Sequence, residues 1–345
     1  MSSLTNSLIP TGTAELLRRI GYEGEFSLTP LSGGANNRVY RVESERPAMV
    51  LKSFFHVPDD PRDRFKAEKA FYEFVESTPL SCTPRALAWS ETDRLGLFSW
   101  VDGRKLVPTE VDASAINQAL QFYRSLNEYR ALPCAHLMDA GSEACFNLEA
   151  HLHCVERRIR RLEKMTAASD LDRAALKLVT ESLRPALAEK TRELTGKIHR
   201  DTELSLDQRC VSPSDFGFHN SLLGTDGRLI FFDFEYAGWD DPAKFFCDFL
   251  CQPALPVPLS LWPLCFETLA QAGPGQIDPE RINDLLPVYQ LKWCCIILNE
   301  FLPKEKERRQ FAQASDSVQL REKQQNQLSK AQECFKRFCE LKRYC

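Results

Sequence analysis

Three oxygen-bearing side chains stand at fixed intervals in one short stretch of the 345-residue chain: Asp215 in SDFGFHN, Asn220 five residues later, and Asp233 thirteen beyond that, in FFDFEYAG. Transfer of a phosphoryl group needs one carboxylate to orient and deprotonate the acceptor. It also needs separate oxygen ligands for the metal ion on the donor phosphates. A tight loop can supply the first carboxylate and one ligand, Asp215 and Asn220. The following LLGTDGRLIFFDFE carries a turn signal at Asp226–Gly227, so it reads as a hairpin that returns the chain with a second ligand, Asp233. Glu235, two residues on, either adds a metal oxygen or hydrogen-bonds within the hairpin.

The order Asp-x-x-x-x-Asn, hairpin, Asp resembles the catalytic and metal loops of kinases. The string Asp-Phe-Gly at 215 to 217 invites the opposite assignment, with Asp215 on the metal and IHRD (198 to 201) as the catalytic loop. That reading fails, because the position five beyond Asp201 is Leu206 and no hairpin separates Asp201 from Asp215. Asp215 is the candidate base, and Asp233 the candidate metal ligand.

SPSDFGFHNSLL followed by FFDFEYAGWDDPAKFFCDF resembles the aminoglycoside phosphotransferase and choline kinase family, the small-molecule branch of the protein-kinase-like fold. Upstream, LSGGANNRVYRV resembles the family's phosphate-covering hairpin, which implies that Gly33, Gly34, Ala35 and Asn36 meet the phosphates. Lys52 in MVLKSF stands where the ATP lysine would, and Glu68 in RFKAEKAF fits the helix carboxylate that pairs with it. LFSWVDGRKL resembles the linker that contacts adenine, which implicates Trp100 and Val101. The resemblance spans roughly residues 26 to 300 and implies ATP and Mg2+ as cofactors and a small-molecule alcohol as acceptor. Two departures stand out: Pro213-Ser214-Asp215 replaces the family's His-Gly-Asp, and the hairpin has only two glycines. A nucleotide-binding pseudokinase that serves as a scaffold is the alternative. A protein kinase is disfavoured, since GWDDPAK follows the metal segment at once and leaves no chain for a peptide platform.

The elements that must position these residues follow the same plan. TAELLRRIGY reads as a leading helix; EFSLTPL, NRVYRVES and PAMVLKSFF read as strands of a small antiparallel sheet. Residues 61 to 78 form an amphipathic helix with Phe65, Phe71, Phe74 and Val75 at helical spacing, and RALAWSE and RLGLFSWV add two strands. From about Thr109 to Asp207 the chain is helical, short strands return around 210 to 235, and helices run to the end. The expected fold class is α+β, a two-lobed protein-kinase-like fold with a β-rich nucleotide lobe over 1–102 and a helical lobe over 103–345. The acceptor pocket is expected from the helical insertion, with Phe122, Tyr123, Glu143, Phe146, Glu149, His151 and His153 as its polar and aromatic groups. Asp240 and Asp241 before Pro242 read as a helix start.

Composition closes off other classes. With 44 Lys plus Arg against 48 Asp plus Glu, a net charge of -4 gives no case for nucleic acid or an anionic membrane as partner. MSSLTNSLIPTG lacks the basic and apolar regions of a secretion signal, and WCCIIL is far too short to span a bilayer. Thirteen cysteines without a C-x-x-C pair read as reduced thiols in a cytoplasmic protein. HLHC (151 to 154) is the best metal-like cluster but lies in a charged helical run. From Lys304 onward 11 basic residues outnumber 6 acidic ones, which reads as a solvated helix face docked by Phe335, Phe338 and Leu341.

Overall fold

The computed structural model describes residues 9–31, 37–56, 62–198, 202–270, 277–302 and 317–341. The glycine-bearing hairpin tip at 33 to 36 and most of IHRD lie outside these residues. The β-rich part begins with helix α1 (Thr13–Arg19). Five antiparallel strands follow in the order β1-β2-β3-β5-β4: β1 (Ser27–Pro30), β2 (Arg38–Glu43), β3 (Met49–Ser53), β4 (Ala86–Ser90) and β5 (Leu95–Ser99). Helix α2 (Arg64–Glu76) connects β3 to β4. In β3 the two-residue period sends Met49 and Leu51 into a core with Leu16, Leu17 and Tyr40. Lys52 is thereby turned to the other face, with Val50.

Helix α2 lies toward that second face. Asp63 caps it by accepting from the Lys66 amide at 3.0 Å. Its buried stripe reads Arg64, Phe65, Glu68, Phe71, Tyr72 and Val75, so two charged residues sit where helical spacing demands apolar ones. Glu68 is therefore aimed inward by register. Its helix neighbour Glu73 instead faces solvent and pairs with Lys69 at 3.3 Å.

The helical part contains α3 (Ala113–Glu128), α4 (Leu148–Leu162), α5 (Asp170–Leu178), α6 (Arg184–Ile198), α7 (Pro242–Cys251), α8 (Trp262–Ala270), α9 (Pro279–Ile297) and α10 (Ser317–Leu341). Short strands lie among them: β6 (Gly103–Arg104) pairs with β8 (Ser221–Gly224), which pairs with β9 (Leu229–Phe231). The two residues of β6 complete this small sheet. β7 (Cys210–Ser212) pairs with β10 (Gly238–Asp240). Asn127 on α3 fixes β7 in place: its Oδ1 accepts from the Val211 amide at 2.9 Å and its Nδ2 donates to the Val211 carbonyl at 3.1 Å. That clamp sits just upstream of Asp215.

The predicted helix start at Pro242 is present. Asp241 caps α7 by accepting from the Ala243 amide at 2.7 Å, and Pro242 occupies the first turn, where its missing N–H costs nothing. Helices α4, α5, α6, α9 and α10 share a separate apolar core that includes Ile159, Val179, Leu291 and Phe338. Among the described residues no helix is long and apolar enough to cross a membrane.

Candidate active site

Sheet, helix and hairpin converge on one ammonium group. Lys52 Nζ lies 2.5 Å from Glu68 Oε2, 2.5 Å from Asp233 Oδ1 and 3.7 Å from Glu235 Oε2. Burial alone would lower the lysine's pKa, but Asp233, Glu68 and Glu235 outweigh it and hold the ammonium well above the usual range. Glu68 is raised to about 7: burial penalises its charge, Lys52 opposes that, and Asp233 and Glu235 add repulsion. Three carboxylates facing Lys52, with Arg64 3.7 Å from Glu235 at one edge, leave this point negative.

The hairpin delivers its carboxylates as the sequence spacing demands. Gly227 turns it at φ 80°, and the Gly224 amide donates to the Arg228 carbonyl at 2.8 Å. Phe231 and Phe234 anchor the strand end in the core and leave Asp233 between them at the surface of the cleft. Asp233 adopts φ 69°, a left-handed conformation that aspartate tolerates better than most residues. Glu235 is buried and accepts from Asn37 Nδ2, while Asn37 Oδ1 accepts from the Phe55 amide at 2.9 Å.

The Asp-Phe-Gly string has a packing explanation. Phe216 and Phe218 are buried, Phe216 stacking on Phe122 with ring centroids 5.7 Å apart, whereas Asp215, His219 and Asn220 stay partly exposed. Asn220 Nδ2 donates to the Asp215 carbonyl at 2.9 Å, and the Phe232 amide donates to the Asn220 carbonyl at 3.1 Å, tying the loop to the residue before Asp233. His219 Nε2 stands 3.5 Å from Asp215 Oδ1. Ser214 adopts φ 62°, a conformation that favours glycine.

Glu68, Asp233 and Glu235 are the one group of three or more potential metal-binding side chains among the described residues. HLHC does not assemble a metal site. His151 is buried between Tyr289 OH at 2.7 Å and Asp241 Oδ2 at 3.0 Å, burial keeps it below the ordinary histidine range, and His153 is exposed. Nor do most of the expected pocket groups line the large cavity beside the site. Phe122 and Tyr123 are core residues, Tyr123 stacking on Phe245 at 4.0 Å, because they fall on the buried stripe of α3. Glu143 alone of that set lines the large cavity beside the site.

Trp100 and Val101 follow β5 and are half-buried. The Trp100 amide donates to the Ala48 carbonyl at 3.3 Å, and Arg41 lies over its ring at 4.5 Å. Sequence reading missed Asn37, Arg64, Lys105 and Tyr236, whose hydroxyl accepts from Arg64 Nε at 3.3 Å. Arg64 was legible as a charge on an apolar helical stripe, four positions before Glu68. Lys105 donates to the His219 carbonyl at 2.6 Å and lies 4.4 Å over the Phe232 ring; burial lowers its pKa while Asp233 pulls it up.

Comparison with known proteins gives the family and the fold. The model of the phosphotransferase enzyme family matches residues 27–251. No curated protein matches the sequence significantly. Among solved structures, choline kinase LicA from Streptococcus pneumoniae superposes with a TM-score of 0.59 at 14% identity, covering 93% of this chain and 97% of that one. Spectinomycin phosphotransferase APH(9)-Ia, bound to ADP and spectinomycin, gives 0.58 at 12% identity over 91% and 96%. An aminoglycoside phosphotransferase APH(4)-Ia variant, bound to ADP and hygromycin B, gives 0.53 at 14% over 93% and 99%. With its α+β, two-lobed kinase-like fold, the chain belongs to the phosphotransferase enzyme family.

Proposed function

We propose that the Lys52 cluster and the Asp215 loop divide the work of γ-phosphoryl transfer. Asp215 orients the acceptor hydroxyl and takes its proton as the oxygen attacks the γ-phosphorus and the bond to the β-phosphate oxygen breaks, leaving ADP. Lys52 steadies the α- and β-phosphates, and Glu68 holds Lys52 in place. The amides of Gly33, Gly34, Ala35 and Asn36 cover the phosphates, and Trp100 and Val101 border adenine. The nucleotide lies between lobes divided at 102 and 103.

Magnesium fits the donors present. Carboxylate oxygens of Asp233, Glu235 and Glu68 lie within 4.8 Å of one another around a point that retains negative charge, and hard oxygen donors of this kind suit the ion. Asn220 commits its Nδ2 to the Asp215 carbonyl, so its amide oxygen remains for a cation. Asp233, Asn220 and Glu235 would hold the ion, which when bound neutralises charge on the donor phosphates. The observation that carries the reading is the pairing of Lys52 with both Glu68 and Asp233 at 2.5 Å, beside a loop that presents a half-exposed Asp215.

The structural relatives, a choline kinase and phosphotransferases bound to spectinomycin and to hygromycin B, suggest a small hydroxyl compound. The twelve described cysteines are all free, which supports a cytoplasmic, reducing environment. The test is phosphate transfer from ATP to a panel of small alcohols with and without magnesium. ADP formation that depends on both acceptor and magnesium is expected, and a protein that binds nucleotide but turns over none would favour the scaffold.

A further inference from the structure

A cavity of about 720 Å³ lies between the start of α2, the segment 137–143, helix α4 and residues 235–237. That volume is in the range of small-molecule sites. It shares Glu235 with the Lys52 cluster. At Gly141 its wall lies against the catalytic loop: a Cβ there would stand 2.8 Å from Ser214 Oγ, on the residue before Asp215. The cavity therefore lies against the loop that carries Asp215, on the side of α2.

Its charges do not balance. Each carboxylate in the wall already has a partner: Asp63 accepts from Arg94 at 2.6 Å, Asp139 from Lys66 at 2.6 Å, Glu143 from Arg158, and Glu235 from Asn37. Among the cations Lys66, Arg158 and Arg161 also have partners, in Asp139, Glu143 and Asn299, but two guanidinium groups keep donors over. Arg157 lines the cavity, is exposed, and has no hydrogen bond or ion pair among the described residues. The Nε of Arg158 is buried there with no acceptor. Arg161, one turn beyond Arg157 on the same face of α4, adds like charge, an arrangement that disfavours the helix by itself.

We propose that this cavity is the acceptor site and that the acceptor is a small hydroxyl compound carrying a carboxylate or phosphate group, held by Arg157 and by Nε of Arg158. This rests on the phosphotransferase reading above. A guanidinium matches the planar oxygens of such anions. An amine-bearing acceptor would instead meet Arg157 and find every wall carboxylate engaged.

The test offers radiolabelled ATP with glycerol, glycerate, glycerol 3-phosphate and ethanolamine to the full chain. Labelled product is expected from the anionic members, and comparison of glycerate with glycerol 3-phosphate identifies which anion is used. Arg157→Gln should raise their KM about ten-fold or more with KM for ATP unchanged. Transfer to ethanolamine alone, or an unchanged acceptor KM in both Arg157→Gln and Arg158→Gln, overturns the proposal. Should no compound accept phosphate, calorimetry with glycerol 3-phosphate and with citrate decides. Binding that weakens in Arg157→Gln upholds the proposal, and no binding of either overturns it. Those failures leave the kinase reading standing; absence of magnesium-ATP binding to the unmodified chain would sink that reading instead.

Discussion

Lys52 Nζ stands 2.5 Å from Glu68 Oε2, with the lysine side chain 8% and the glutamate 2% exposed. A strand of period two and a helix of period 3.6 meet at this pair, so each residue is fixed by the packing of its own element. Removing either charge strands the other in a low-dielectric setting.

Lys52→Ala should therefore lose activity by orders of magnitude and also lose stability. Leaving Glu68, Asp233 and Glu235 without their shared ammonium should cost about 3 kcal/mol. Adding Glu68→Gln should recover part of that loss. Denaturant midpoints of the two single variants and the double variant give the coupling, and strict additivity would contradict the shared-charge account.

The residue before Asp215 carries strain. Ser214 holds φ 62°, and its buried Oγ has no hydrogen-bond partner. Ser214→Gly should raise unfolding free energy by up to about 1 kcal/mol, and Ser214→Val should lower it by more than that. Thermal or urea unfolding of the two variants checks the sign.

Glu143 predicts an acid-dependent term. Although burial would raise its pKa, Arg158, helped by Lys292 and Lys244, holds the carboxyl down at about 2. A depressed folded pKa means the folded state binds fewer protons. Its contribution is thus full above the unfolded value near 4.5 and is lost as pH falls toward 2. Glu143→Gln should be less stable than the parent by about 1–3 kcal/mol at neutral pH, with the gap closing below pH 4.5. A gap that widens on acidification would contradict the assignment.

Much of this architecture was legible in the chain. Asp215, Asn220 and Asp233 could be ordered because a hairpin turn is written as Asp226–Gly227 and because Leu206 breaks the rival reading. The family resemblance pointed to Lys52 and Glu68, but only the helix register seen in the structure separates buried Glu68 from solvent-facing Glu73. What sequence could not give was convergence from distant segments. Asn37 reaches Glu235 across 198 positions, and no local pattern announces that contact. Several of the expected pocket groups lie elsewhere for a related reason. Phe122, Tyr123 and His151 have side chains suited to a pocket, yet helical register buries them, while the arginines of VERRIRRLEK resembled an ordinary solvated face.

The separate tasks of the two aspartates are the centre of the account. Isothermal titration of magnesium-ATP and steady-state turnover, measured side by side on Asp215→Asn and Asp233→Asn, test it most directly. Asp215→Asn should abolish turnover and keep magnesium-ATP affinity near that of the parent, because it removes the proton acceptor and no metal ligand. Asp233→Asn should weaken magnesium-ATP binding itself. The exchanged pattern, with binding lost in Asp215→Asn and retained in Asp233→Asn, would contradict the account.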